Sequence, residues 1–233
     1  MSRDRRGYSV VAVLKRLLVG VMLLAVAGCS STQAGDRARW TDEATSADVV
    51  SARAGAERRA DFIMARLPVK AATMASEDSC VVGTSDMWYT SQYQFSCHLD
   101  TVYYVPVDGA LLPLLTEIDE AMRAAPLGFV PWKSFENVQY YFAHGGKSSD
   151  GLQLSKPGLA YLTALGEVGV SWRDPAFPDP ERSAMPTNYP MMWPQVYRAE
   201  RSAVDLETLI AAHDNVLAIS VSQTYFMVAW PPR

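Results

Sequence analysis

The sequence predicts an α+β fold, a mostly antiparallel sheet with about three helices packed on one face. The predicted order is helix-strand-strand-helix-strand-strand-loop-helix-strand. Three observations carry this. Segments with apolar residues at steps of three and four are distinct from segments in which they alternate. The alternating segments fall in pairs between the helical ones, which favours an antiparallel sheet with segregated helices. Finally, 49% hydrophobic and 20% charged residues over 233 positions make a globular composition, long enough to bury a core.

The chain opens with a basic leader containing Arg3, Arg5, Arg6, Lys15 and Arg16. An uncharged run from Leu17 to Ala27 follows, and then Gly28 and Cys29. Basic, apolar and small-residue segments in that order form an export signal. The tail Val26-Ala27-Gly28-Cys29 resembles the lipobox of bacterial lipoproteins, a resemblance confined to residues 1–29. It implies that the Cys29 thiol receives a diacylglyceryl group and that residues 1–28 are removed. Two acyl chains hold a protein stably at a membrane where one holds it reversibly. The expected location is therefore the cell envelope, lipid-anchored on the extracytoplasmic side of the membrane. Ser30 after the cysteine resembles the pattern that permits transfer to an outer membrane, where a cell has one. An uncleaved signal anchor is the alternative. Spanning takes roughly 20 apolar residues, and Lys15 and Arg16 interrupt the run here.

Loss of residues 1–28 leaves 16 basic against 24 acidic residues, a net charge of −8. Such a body is unsuited to phosphate backbones, so no nucleic-acid partner is expected. Residues 29–45 read as a flexible tether from the lipidated cysteine, with the role of Trp40 open. The remainder, 46–233, reads as a single α+β domain.

In that domain, Val49, Ala52, Ala56, Ala60, Ile63 and Leu67 mark a first helix, with Ser46 as N-cap and Pro68 as stop. Residues 80–105 are strand-like: Tyr93, Phe95, Cys97 and Leu99 alternate with Gln94, Ser96 and His98. Val81–Gly83 and Met87–Tyr89 suggest a preceding strand. Cys80 and Cys97, in an oxidising compartment, are expected to form a disulfide. A reactive thiol is the alternative, but there is no Cys-x-x-Cys, and His98 projects from the opposite strand face to Cys97. A second helix spans about 112–125, with Leu111, Leu115, Ile118, Met122 and Ala125 inward and Glu117, Asp119 and Glu120 on a solvated face. Strands are expected near Phe135–Ala143 and Leu159–Trp172. Six prolines between 174 and 194 argue for a loop. A third helix begins near Ser202, capped with Asp205, and turns Leu206, Leu209 and Ile210 inward. The chain ends in a strand or hairpin from Val216 to Trp230, in which Leu217, Ile219, Val221, Tyr225 and Met227 share parity.

Catalytic signals are sparse. None of the three histidines has zinc spacing, and there is neither a Gly-x-Ser-x-Gly elbow nor a complete phosphate loop around Gly145-Gly146-Lys147-Ser148. His98 and Asp100 share a strand face, which reads as a solvated pair rather than a metal site. His213 reads as a cation capping the third helix. No metal, cofactor or catalytic residue is expected. The 174–194 loop either straps the core or presents Tyr189, Met192 and Trp193 to a ligand or partner. The expected function is a binding or accessory module of the cell envelope, taking an envelope protein, a peptide or an apolar ligand. The alternative is an extracytoplasmic hydrolase in which His98 or His144 meets a serine or carboxylate.

Overall fold

A computed structural model describes residues 37–83, 91–133, 135–164, 166–173, 195–202 and 206–231. Cys29, Trp88, Tyr89, the Ser202–Asp205 cap and the loop residues Tyr189, Met192 and Trp193 lie outside the described side chains. The chain divides into two units, Met1–Glu43 and Ala44–Arg233. In the first, residues 37–43 are helical, and the Arg39 guanidinium lies 4.5 Å from the centroid of the Trp40 ring.

The second unit is α+β. Its helices are α1 (Ala47–Met64), α2 (Leu111–Arg123), α3 (Phe135–Ala143) and α4 (Leu206–Ala212). Its strands are β1 (Thr73–Val82), β2 (Tyr93–Val107), β3 (Val130–Pro131), β4 (Leu159–Thr163), β5 (Gly166–Arg173), β6 (Gln195–Ser202) and β7 (Asn215–Ala229). They form one sheet in the order β3-β4-β5-β7-β2-β1-β6, with every neighbouring pair antiparallel. The edges are blunt: β3 has two residues, and β6 carries Arg198, Glu200 and Arg201. Among the described residues, no helix is long and apolar enough to cross a membrane.

Local sequence explains most elements. The Ser46 hydroxyl caps α1 by accepting from the Val49 N–H at 3.3 Å. Val49, Ala56, Ala60 and Ile63 are buried, and their small side chains let the helix lie close on the sheet. In α2, Leu111, Leu115, Ile118 and Met122 are buried as expected. Ala125 instead lies exposed beyond the helix end. Asp119 is also buried, not on the solvated face. It accepts from the Tyr161 hydroxyl at 2.6 Å and pairs with Arg123 at 2.9 Å, joining α2 to β4. Gly128, at φ +59°, reverses the chain after α2, with its N–H on the Ala124 carbonyl and the Phe129 N–H on that of Met122.

The architecture departs from expectation in several places: the strand expected around 81–89 runs Thr73–Val82, Val130–Pro131 adds a short strand, and 159–173 is a hairpin of two strands. Phe135–Ala143 is the helix α3, not a strand. Its buried residues Phe135, Val138 and Tyr141 are three apart, a helical spacing that the β-prone run Tyr140-Tyr141-Phe142 masks. β6 forms an unexpected edge strand after the proline-rich segment. The helices also do not all share one face. α1, α2 and α3 cover the face bearing Tyr103, Val105, Leu217 and Ile219. α4, the expected third helix, packs Leu206, Leu209 and Ile210 against Ala75, Tyr104 and Val216 on the other face. Residues 216 and 218 of β7 project oppositely to 217 and 219, so the strand offers an apolar surface on each face.

A bulge shifts the phase of β7. Cys97 pairs with Phe226 and His98 with Thr224, which leaves Tyr225 as the extra residue. Parity therefore fails beyond it, and Met227, expected inward, is exposed and pairs with Ser96 on the opposite face.

Candidate functional site

Cys80 and Cys97 sit directly opposite on β1 and β2, with a Cα–Cα distance of 4.1 Å, and are joined by a disulfide. That closeness is characteristic of a non-hydrogen-bonded antiparallel pair, where side chains approach most. Both cysteines are buried beside a polar cluster built by four elements. Arg53 descends from α1 and forms an ion pair with the buried Asp78 of β1. The hydroxyl of Tyr225, carried by the bulge, donates to Asp78 at 2.6 Å and lies 3.8 Å from the Cys80 sulfur. The Arg53 guanidinium also lies 4.8 Å from the ring centroid of Tyr197 in β6 and 5.9 Å from that of Tyr225. Burial pushes the Asp78 carboxyl above its ordinary value, against the opposing pull of Tyr225 and Arg53. Burial, reinforced by Asp78, likewise raises the Tyr225 hydroxyl. The cluster fastens α1 to three strands.

The histidines fall in different places. On the opposite face, Ser96 Oγ lies 3.0 Å from His98 Nε2, and Thr224 Oγ1 lies 3.0 Å from His98 Nδ1. Burial lowers the imidazole below its ordinary value, and Asp100 partly offsets this. A serine, a histidine and a third oriented group follow the order of a hydrolytic relay, but the third group is a hydroxyl rather than a carboxylate. Ser96 is also 0% exposed, so its oxygen is not presented to solvent. His144 stacks on Tyr140, with centroids 4.0 Å apart, and its Nδ1 lies 2.9 Å from that residue's carbonyl oxygen. His213 follows α4 and pairs with Asp108 at 3.1 Å, so its partner is a side chain rather than the helix terminus.

An acidic row crosses this same face in register: Glu167, Ser222, Asp100, Glu77 and Glu200 lie side by side on β5, β7, β2, β1 and β6. Arg198 bridges Glu77 and Glu200. Among the described residues, no group of three or more His, Cys, Asp or Glu is arranged to hold a metal ion.

A concave site lies on the helix-covered face. A pocket of about 300 Å³ opens between the second half of α1, the 126–129 loop, the β4–β5 turn and β7. Its walls include Phe62, Ile63, Leu127, Phe129, Val168 and Val221. The turn at Gly128 brings Leu127 and Phe129 to one wall. Thr163 and Ala164 form the hairpin rim, and the Thr163 hydroxyl donates to the Gly166 carbonyl at 3.1 Å. A methyl group on Gly166 would collide with the Ser222 carbonyl oxygen, so glycine permits the close approach of β5 and β7 beneath the pocket.

Arg59 and Gln223 add polar side chains to the lining. Gln223, 4% exposed, donates to the Ala56 carbonyl at 3.0 Å and accepts from Arg59 Nε at 3.0 Å. Both ends of its amide are thereby satisfied, as burial requires. Glu167 and Ser222 also border the pocket, but they pair with each other and alternate with the inward Val168 and Gln223. Their side chains therefore project from the other face and contribute backbone here.

The sequence carries one signal for this site. Gln223 interrupts the inward series Leu217, Ile219, Val221 and Tyr225, and a polar residue at an inward position requires a buried partner. Its partners lie 164 and 167 residues away, beyond the reach of local pattern. Comparison with protein-family models, curated proteins and solved structures finds no match to this chain.

Proposed function

We propose that this protein is an extracytoplasmic lipoprotein, moored to the membrane through acylated Cys29, whose folded domain is a binding module for a small apolar ligand. The pocket of about 300 Å³ carries this reading. Its volume lies at the lower bound of small-molecule sites, and such sites are mostly apolar with a few placed polar groups. The polar clusters elsewhere support binding over catalysis, because each is engaged within the fold. The basic leader, apolar run and Val26-Ala27-Gly28-Cys29 tail support the anchor and an envelope location, and Ser30 permits transfer to an outer membrane where there is one.

Two measurements test the two halves of this proposal. Ala164 stands exposed on the pocket rim. An Ala164→Trp variant should fill the mouth, abolish the fluorescence enhancement of an environment-sensitive apolar dye and leave the melting temperature nearly unchanged. Undiminished dye binding would remove the pocket from consideration. For the anchor, a Cys29→Ser chain should retain residues 1–28 and incorporate no labelled fatty acid. Cleavage or continued acylation would contradict it.

A further inference from the structure

We infer that the pocket selects an amphipathic anion, an aliphatic carboxylate of medium length, with Arg59 as the group that recognises the charge. The inference rests on the binding reading above and specifies its ligand. Volume sets the length: a cavity of 150 Å³ holds a benzene ring, so about 300 Å³ holds roughly ten to a dozen non-hydrogen atoms. The walls set the body of the ligand, because Phe62, Ile63, Leu127, Phe129, Val168 and Val221 offer only hydrocarbon.

The charge follows from what surrounds that hydrocarbon. Arg59 is the one charged side chain that the described lining directs to this face, since Glu167 projects from the other. Its Nε is held by Gln223, itself buried and fixed to the α1 backbone, so the guanidinium is oriented before any ligand arrives. Gln223 is thus a positioning residue. A guanidinium nitrogen of Arg59 lies 3.4 Å from where a methyl on Gly55 would be, and one of Arg58 lies 3.9 Å from the same point. Two cations therefore converge at one side of Gly55. Arg66, in the turn just past the end of α1, lies 4.7 Å from the ring centroid of the pocket residue Phe62.

Among the described residues, none of Arg58, Arg59 and Arg66 forms an ion pair. The neighbouring acids of α1 are engaged elsewhere: Glu57 with Arg201 at 3.6 Å, and Asp61 with the Tyr103 hydroxyl at 3.0 Å. A body with more acidic than basic residues thus sets a cation, Arg59, in the lining of its apolar pocket, with no ion-pair partner among the described residues. Guanidinium recognises carboxylate through paired N–H groups, which neither a neutral nor a cationic head can satisfy.

The test is calorimetric titration of the full-length protein with octanoate and with octan-1-ol, repeated on Arg59→Gln and Arg59→Lys. Octanoate should bind wild type about ten- to a hundredfold more tightly than the alcohol, the range of a charge-assisted hydrogen bond. Arg59→Gln should erase that difference while leaving alcohol binding intact, and Arg59→Lys should retain part of it. Equal binding of acid and alcohol to the wild type would overturn the anion assignment and leave the pocket reading standing. Binding of neither would overturn both. The wild-type comparison decides the matter even if a variant does not fold.

Discussion

Replacement of Asp78 by alanine is expected to destabilise the fold by about 3–5 kcal/mol, read as a lower urea midpoint with an unchanged slope. The magnitude follows from what is left behind. Arg53 and Asp78 pair with side-chain exposures of 17% and 8%, and the Tyr225 hydroxyl donates to the same carboxylate. Removal of the carboxylate strands a guanidinium and a hydroxyl where water reaches poorly. The pair itself is not a large source of stability, because desolvation offsets much of its attraction. A triple variant, Arg53→Met with Asp78→Leu and Tyr225→Phe, should therefore recover most of the loss. If it fell as far as Asp78→Ala alone, the stranded-charge explanation would fail.

The same carboxylate sets a pH dependence with a definite sign. Burial raises Asp78 above its ordinary value in the folded state, so the folded chain binds this proton more tightly than the unfolded chain. Its contribution to stability is greatest in acid. It is lost as pH rises through the ordinary aspartate range toward the raised folded value, and it is constant above that. Asp78→Ala should lack this limb in a series of urea titrations across acid pH.

Arg53 illustrates why part of the architecture was legible in the sequence and part was not. The periodic apolar faces of α1 and α2 predicted their burial, because a helix must hide such a stripe. Arg53 lies four residues after Val49 and three before Ala56, inside that stripe, yet a charged residue there has no apparent partner until β1 folds beneath it. The α3 segment failed for a different reason. Its aromatics favour strands intrinsically, and the packing of Phe135, Val138 and Tyr141 overrides that preference. The pocket depends on pairings between residues more than a hundred positions apart, which periodicity does not encode. The disulfide was legible because only two cysteines remained once Cys29 was assigned to the anchor.

That disulfide should also govern stability. A Cys80→Ala/Cys97→Ala variant is expected to lose about 3 kcal/mol, the chain-entropy value for a closed loop of this size, since the bridge spans 17 residues. Dithiothreitol should lower the urea midpoint of the wild type to that of the variant and leave the variant unmoved. An insensitive wild type would mean that the strands hold equally well without the covalent link. The bridge also lies beside the Asp78 cluster, because Tyr225 touches both the carboxylate and the Cys80 sulfur. Groups that share a partner at this range do not act independently. Asp78→Ala combined with loss of both cysteines should therefore depart from the sum of the separate effects. Departure in that cycle would show that the Asp78 cluster and the bridge are energetically coupled in the folded state. Strict additivity would instead confine the bridge to the unfolded chain, where its restriction of the loop acts alone.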